Sequence, residues 1–157
     1  MKLKFLFFGA LFLLMLITGV FWGTWFTLTR SLESFSLGEF IHIGKTIIAN
    51  VAFPMRIMMP SGILLVLLSL WFSNRKKSTG FYAGLLSLAL IVVVLLVTLI
   101  VLVPIDNNIK EWTTTAYPHD WENIRNTWKA FHALRTFASL LSFTCFSWFV
   151  ITANDER

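Results

Sequence analysis

Four stretches of this chain, roughly residues 5–29, 55–72, 81–103 and 131–151, are apolar almost without interruption, and the polar residues gather between them. Wound as α-helix, each is long enough to cross the about 30 Å of hydrocarbon in a bilayer. The pattern predicts an all-α protein, an integral membrane four-helix bundle with residues 1–157 in one four-span domain. Lys2 and Lys4 precede the first stretch as they would in a secretory leader. Its apolar run is too long for that and no small-x-small cleavage site follows, so it is read as a retained span. Four spans bring the connections at 30–54 and 104–130 out on one face, opposite the termini and the short "NRKKSTG" loop.

The finer pattern is uneven. In "SLGEFIHIGKTIIANVAFP", Ser36 and Glu39 have capping-box spacing and predict a helix start. Glu39, His42, Thr46 and Asn50 share one face of that helix, and Phe40, Ile47 and Val51 share another. With Pro54 limiting its run, the segment reads as an additional amphipathic interfacial helix between the first two spans. In the first span, Gly19 and Gly23 have the spacing that lets a neighbouring helix approach. Beside them Thr18, Trp22, Trp25 and Thr29 form a stripe that suits either an interfacial aromatic belt or a cavity wall. Arg56 stands where an arginine can snorkel to lipid phosphate. The third span carries almost no side-chain chemistry, and "VPIDNNIKEW" reads as a turn leaving the membrane. Pro118, Asp120 and Glu122 suit the first turn of a helix that runs on into the fourth span.

That last helix holds the densest polar stripe. Trp121, Arg125, Trp128, His132 and Arg135 lie four, three, four and three residues apart, on one helical face. A central arginine facing lipid costs about 2.5–3.5 kcal/mol even on the lenient insertion scale. Headgroups suffice for Arg125, whereas His132 and Arg135 lie deeper and call for an internal cavity.

Composition sharpens the class. The chain is 57% hydrophobic and only 13% charged, with a mean hydropathy of +0.74, far from the quarter of charged residues usual in soluble domains. The net charge of +5 therefore speaks of membrane topology, and nucleic acid is not an expected partner. Lys2, Lys4, Arg75, Lys76, Lys77 and Arg157 fall on one side, which predicts a multi-pass cell-membrane protein with both termini cytoplasmic. Cys145 is the lone cysteine, so neither a disulfide nor a thiolate metal cage is expected.

"VPIDNNIKEW" followed by "DWENIRNTWKAFHALRTF" resembles the anthrone oxygenase-like family of small four-helix membrane proteins. Val103, Pro104, Ile109 and Trp112 match the first part of its pattern, and Trp121, Arg125, Trp128, His132 and Arg135 the second. Asp106 stands where the family pattern has asparagine, with Asn107 beside it. The resemblance implies an oxygenase that turns an anthrone into an anthraquinone with dioxygen, using neither metal nor flavin.

An anthrone has an acidic benzylic CH₂, and its anion can pass electrons to dioxygen unaided. Such chemistry asks for a base, a partner for the negative oxygen and a flat apolar slot. His132 is the candidate base, and Arg135 and Arg125 are candidates to hold the oxyanion. Trp112, Trp121, Trp128 and Trp25 offer flat faces, and His42, Asn50 and Asn107 offer polar contacts near the same face of the membrane. The expected partners are the lipid bilayer, a lipophilic aromatic or quinol-like molecule and dioxygen, with a homo-oligomer left open and no cofactor required. Two alternatives stand beside this reading: a non-catalytic module binding a lipid or quinone headgroup, and a haem or metal protein using His42, His119 and His132. No His-x-x-x-His or Glu-x-x-His pair supports the latter.

Overall fold

A computed structural model describes residues 2–74 and 78–154, without the side chains of Lys2 and Asn154. Among the described residues it is all-helical. Helix α1 (Lys2–Thr27) leads through a short 3₁₀ segment (Thr29–Ser34) into α2 (Leu37–Trp71). Helix α3 (Thr79–Val97) continues through a π-helical turn (Thr98–Leu102) into α4 (Val103–Glu111), and α5 (Trp121–Asn154) completes the chain. Four helical runs among these residues, Leu3–Ser34, Leu37–Trp71, Thr79–Glu111 and Trp121–Ala153, are long and apolar enough to cross a membrane. The chain is a multi-pass membrane protein. Its helices close in a ring, α1 against α2 and α5, α3 against α2 and α5.

Two expectations about the connections are overturned. The helix starting after Ser36 is capped as predicted: Glu39 Oε2 accepts from the Ser36 N–H at 2.8 Å, and Ser36 Oγ accepts from the Glu39 N–H at 3.4 Å. It does not end at Pro54, however, but runs straight through Pro54 and Pro60 to Trp71. Among the described residues there is no separate interfacial helix. Each proline removes one ladder hydrogen bond, but breaking the helix at the edge of hydrocarbon would strip several backbone groups of partners where water is scarce. Likewise "VPIDNNIKE" is not a turn. Pro104 sits in the first turn of α4 and removes one N–H from a ladder that runs on from the π-helical turn before it.

These runs are longer than a bilayer needs. At about 1.5 Å per residue α2 extends about 50 Å, so roughly 20 Å overhangs the hydrocarbon. Two apolar clusters follow from this. One fills the bundle, with Leu14, Ile17, Met59, Val66, Val94 and Phe146 buried within it. The other forms a cap from Leu32, Phe40, Ile48, Ile109, Trp112 and Trp128, on the side of the two long connections.

The Gly19–Gly23 pair does not seat a neighbour, because a Cβ at either would meet nothing within 4 Å. Close approaches fall instead at Gly80, against Thr152, and at Gly84, where a Cβ would stand 2.6 Å from Leu70 Cδ2 and 3.0 Å from Phe149 Cγ. Arg75, Lys76, Lys77, Arg157 and the Lys2 side chain, which carry the argument for orientation, lie outside the described residues.

Candidate functional site

Helix α5 starts cleanly because the Trp121 N–H donates to the Pro118 carbonyl at 3.2 Å and Asp120 O accepts from Asn123 and Ile124. From there its polar stripe turns inward. Trp128 is fully buried, edge-on to Phe40 with ring centroids 5.9 Å apart. His132 packs on Trp128 at 4.0 Å between centroids. Arg135 lays its guanidinium over the Phe21 ring at 4.3 Å, a favourable arrangement for a cation short of water. Below it, Thr136 Oγ1 donates to the His132 carbonyl at 2.7 Å and the Phe21 carbonyl at 3.3 Å. This ties α5 to α1 at the level of the site.

A cavity of about 360 Å³ opens beside this face. Its walls are mostly apolar: Phe21 from α1, Val51, Met55 and Met59 from α2, Leu99 from the π-helical turn. The polar part of the lining includes Arg56, Asp106, Asn107, Lys110, His132 and Arg135, with the Trp128 indole N–H. Trp128 Nε1–H donates to Asp106 Oδ1 at 2.8 Å, and Lys110 Nζ donates to Asn107 Oδ1 at 3.0 Å. Arg135 Nη2 lies 3.0 Å from His132 Nδ1. His132 and Arg135 are 3% and 7% exposed, and His132 Nε2 and Arg135 Nε are buried with no hydrogen-bond partner among the described residues.

The structure thus brings His132, Arg135, Trp128 and Asn107 together at one cavity. Arg125 is buried but stacks on Trp121 at 5.0 Å and is not in the lining. Trp112 and Trp121 pack around Phe40 in the cap. Trp25 sits among Trp22 and Phe137 and is not in the cavity lining. His42 and Asn50 are exposed, on the face of α2 that turns away from the buried Phe40 and Ile48. Histidines 42, 119 and 132 do not converge: among the described residues no group of three or more His, Cys, Asp or Glu could hold a metal.

Asp106, Lys110 and Arg56 were not singled out as site residues from the sequence. The signal was present, since Val103, Asp106, Asn107 and Lys110 have i, i+3, i+4, i+7 spacing and all line the cavity. Reading that segment as a turn hid its period.

The fold and the site define a class: a four-span membrane bundle with a buried basic pair beside an apolar cavity at one end. The anthrone oxygenase family model matches residues 47–145, well over half of the chain, and the protein belongs to that family. No curated protein and no solved structure matches the chain.

Proposed function

We propose that the protein is a membrane-embedded oxygenase that acts with dioxygen on a flat, lipophilic aromatic substrate of the anthrone or quinol type. Family membership supports this, and so does one structural observation. The His132–Arg135 pair, buried and with unpartnered polar atoms, stands in the wall of a cavity whose other walls suit an aromatic ring system. The cavity is lined by apolar residues of the spanning helices α1 and α2, which suits a greasy substrate and dioxygen, both of which concentrate in a bilayer.

The chemistry needs little from the protein. Loss of a proton from the benzylic carbon of an anthrone sends its electron pair to the ketone oxygen, giving an electron-rich oxyanion. Dioxygen then oxidises that carbon to a second carbonyl. One oxygen atom enters the product and the other leaves as water, so anthrone and O₂ become anthraquinone and H₂O. Arg135 supplies positive charge for the oxyanion in a site poor in water, where such a donor is worth most. His132 and Asp106 are the lining groups able to take the proton. No metal or flavin is required by this route.

The test is oxygen uptake by the purified protein in lipid nanodiscs, with anthrone as substrate and anthraquinone followed by absorbance. Turnover is expected in the wild type. Arg135→Lys should lose about 10²–10³-fold, because lysine keeps the charge but not the planar fork of donors. Wild-type protein that binds anthrone without consuming oxygen would move the reading to a non-catalytic binder of quinone-like molecules.

A further inference from the structure

The contact between Arg135 and His132 fixes where the imidazole carries its proton. A guanidinium has N–H donors and no acceptor. At 3.0 Å from Arg135 Nη2, His132 Nδ1 can only receive, using its lone pair. A proton on Nδ1 would set two donors against each other. The neutral ring therefore carries its hydrogen on Nε2. Among the described residues Nε2 is a buried atom without a partner, and so is Arg135 Nε, which is also an N–H donor. Both belong to residues that line the cavity and are more than nine-tenths buried.

We infer that His132 and Arg135 form a donor-only subsite for an acceptor oxygen of the ligand, a ketone or quinone carbonyl or the oxyanion derived from it. His132 is then a hydrogen-bond donor in the reaction and not its base. The inference rests on the oxygenase reading only for the identity of the ligand. Within that reading the benzylic proton passes to Asp106, the carboxylate in the lining, whose Oδ1 already accepts from Trp128. The electron pair moves to the ketone oxygen held by the His132–Arg135 pair, the benzylic carbon bonds to dioxygen, and Asp106 gives its proton to the outer oxygen. Asp106 then takes the second benzylic proton as the O–O bond breaks to leave the new carbonyl, and passes it to the departing hydroxide, which leaves as water. A ligand without an acceptor oxygen gains nothing from this pair, which sets carbonyl compounds apart from plain aromatic hydrocarbons.

Nitrogen-15 NMR of wild-type protein labelled at histidine, in nanodiscs, reads the tautomer directly, with His132 assigned by its loss in His132→Gln. The Nε2–H tautomer is expected; the Nδ1–H tautomer or an imidazolium would overturn the inference whatever the protein catalyses. Tryptophan quenching by anthraquinone and by anthracene, which share a ring frame but differ in acceptor oxygens, gives the second reading. Wild type should prefer anthraquinone by about 10–100-fold, the size of one to two buried hydrogen bonds to strong donors. His132→Gln, whose amide is still a donor, should keep much of that preference, and His132→Ala should lose it. Equal binding of the two by wild type overturns the subsite even if oxygen is consumed. Preference without oxygen uptake leaves the subsite standing and removes only the oxygenase. For the proton, anaerobic exchange of the anthrone CH₂ in deuterated water should stop in Asp106→Asn while anthraquinone affinity is largely kept. Exchange at the wild-type rate in that variant, or its loss in His132→Gln instead, returns the base role to His132.

Discussion

Leu14, Val66 and Val94 are fully buried in the bundle, yet each merely exchanges lipid contacts for protein contacts. Phe40, Ile109 and Trp128 are just as buried in the cap, but their alternative is headgroup and water. Apolar burial drives association in the second place and hardly at all in the first, where packing and polar contacts must serve. The bundle shows those substitutes. Ser142 Oγ donates to the Ser87 carbonyl at 2.9 Å, the two hydroxyls lie 3.0 Å apart, and Gly84 brings α3 close to α5. The site lies between the two regimes, with Trp128 belonging to the cap and Phe21 to the bundle.

That contrast predicts a graded set of effects. The largest is expected in the cap: Phe40→Ala should cost about 3–5 kcal/mol, as for a large buried aromatic in water-facing cores. Hydrogen exchange in nanodiscs should show protection lost over 103–111 and 121–128 and retained over 81–97. Loss of protection along α3 as well would mean that the two regions melt as one and that the contrast is false. Gly84→Ala should come next, at about 1–3 kcal/mol for overpacking, read from thermal unfolding in detergent. Ser142→Ala, which removes the buried hydroxyl contact with Ser87, should cost only about 0.6 kcal/mol by the same measurement, the average for hydrogen bonds between membrane helices. Smallest is the exposed pair of Lys129 and Glu33, 2.7 Å apart. Lys129→Ala should leave the unfolding midpoint unchanged at physiological salt.

The bundle was legible in the sequence because the bilayer demands a crude signal, an apolar run of fixed length. The inward stripe from Trp121 to Arg135 was legible for a related reason: charge at the edge of hydrocarbon has few places to go. The overhang was harder to read. Pro54 and Pro104 are stop signs for helices in water, and from the sequence pattern alone they predict helix ends. Near the membrane an unbroken backbone ladder outweighs one missing N–H, so α2 and α4 ran on. The error had a cost at the site: with 103–111 read as a turn, Asp106 and Lys110 lost the phase that places them on the cavity wall. The proton position on His132 depends on a contact with Arg135 within one turn, and only side-chain geometry reveals it.

The π-helical turn at Thr98–Leu102 carries a consequence of register. A π-type turn holds about one residue more than an α-turn, and one residue is worth about 100° of rotation in an α-helix. The extra residue therefore sets the angular phase of everything downstream in the run to Glu111. Wound as plain α-helix with no residue removed, the segment would be more regular and no less hydrogen-bonded. It would also swing α4 by a little over a quarter of a circle, carrying Asp106 and Asn107 off the cavity wall and Ile109 out of the cap. A local irregularity in the ladder thus keys two ends of one helix to different neighbours, the way an offset tooth keys a lock.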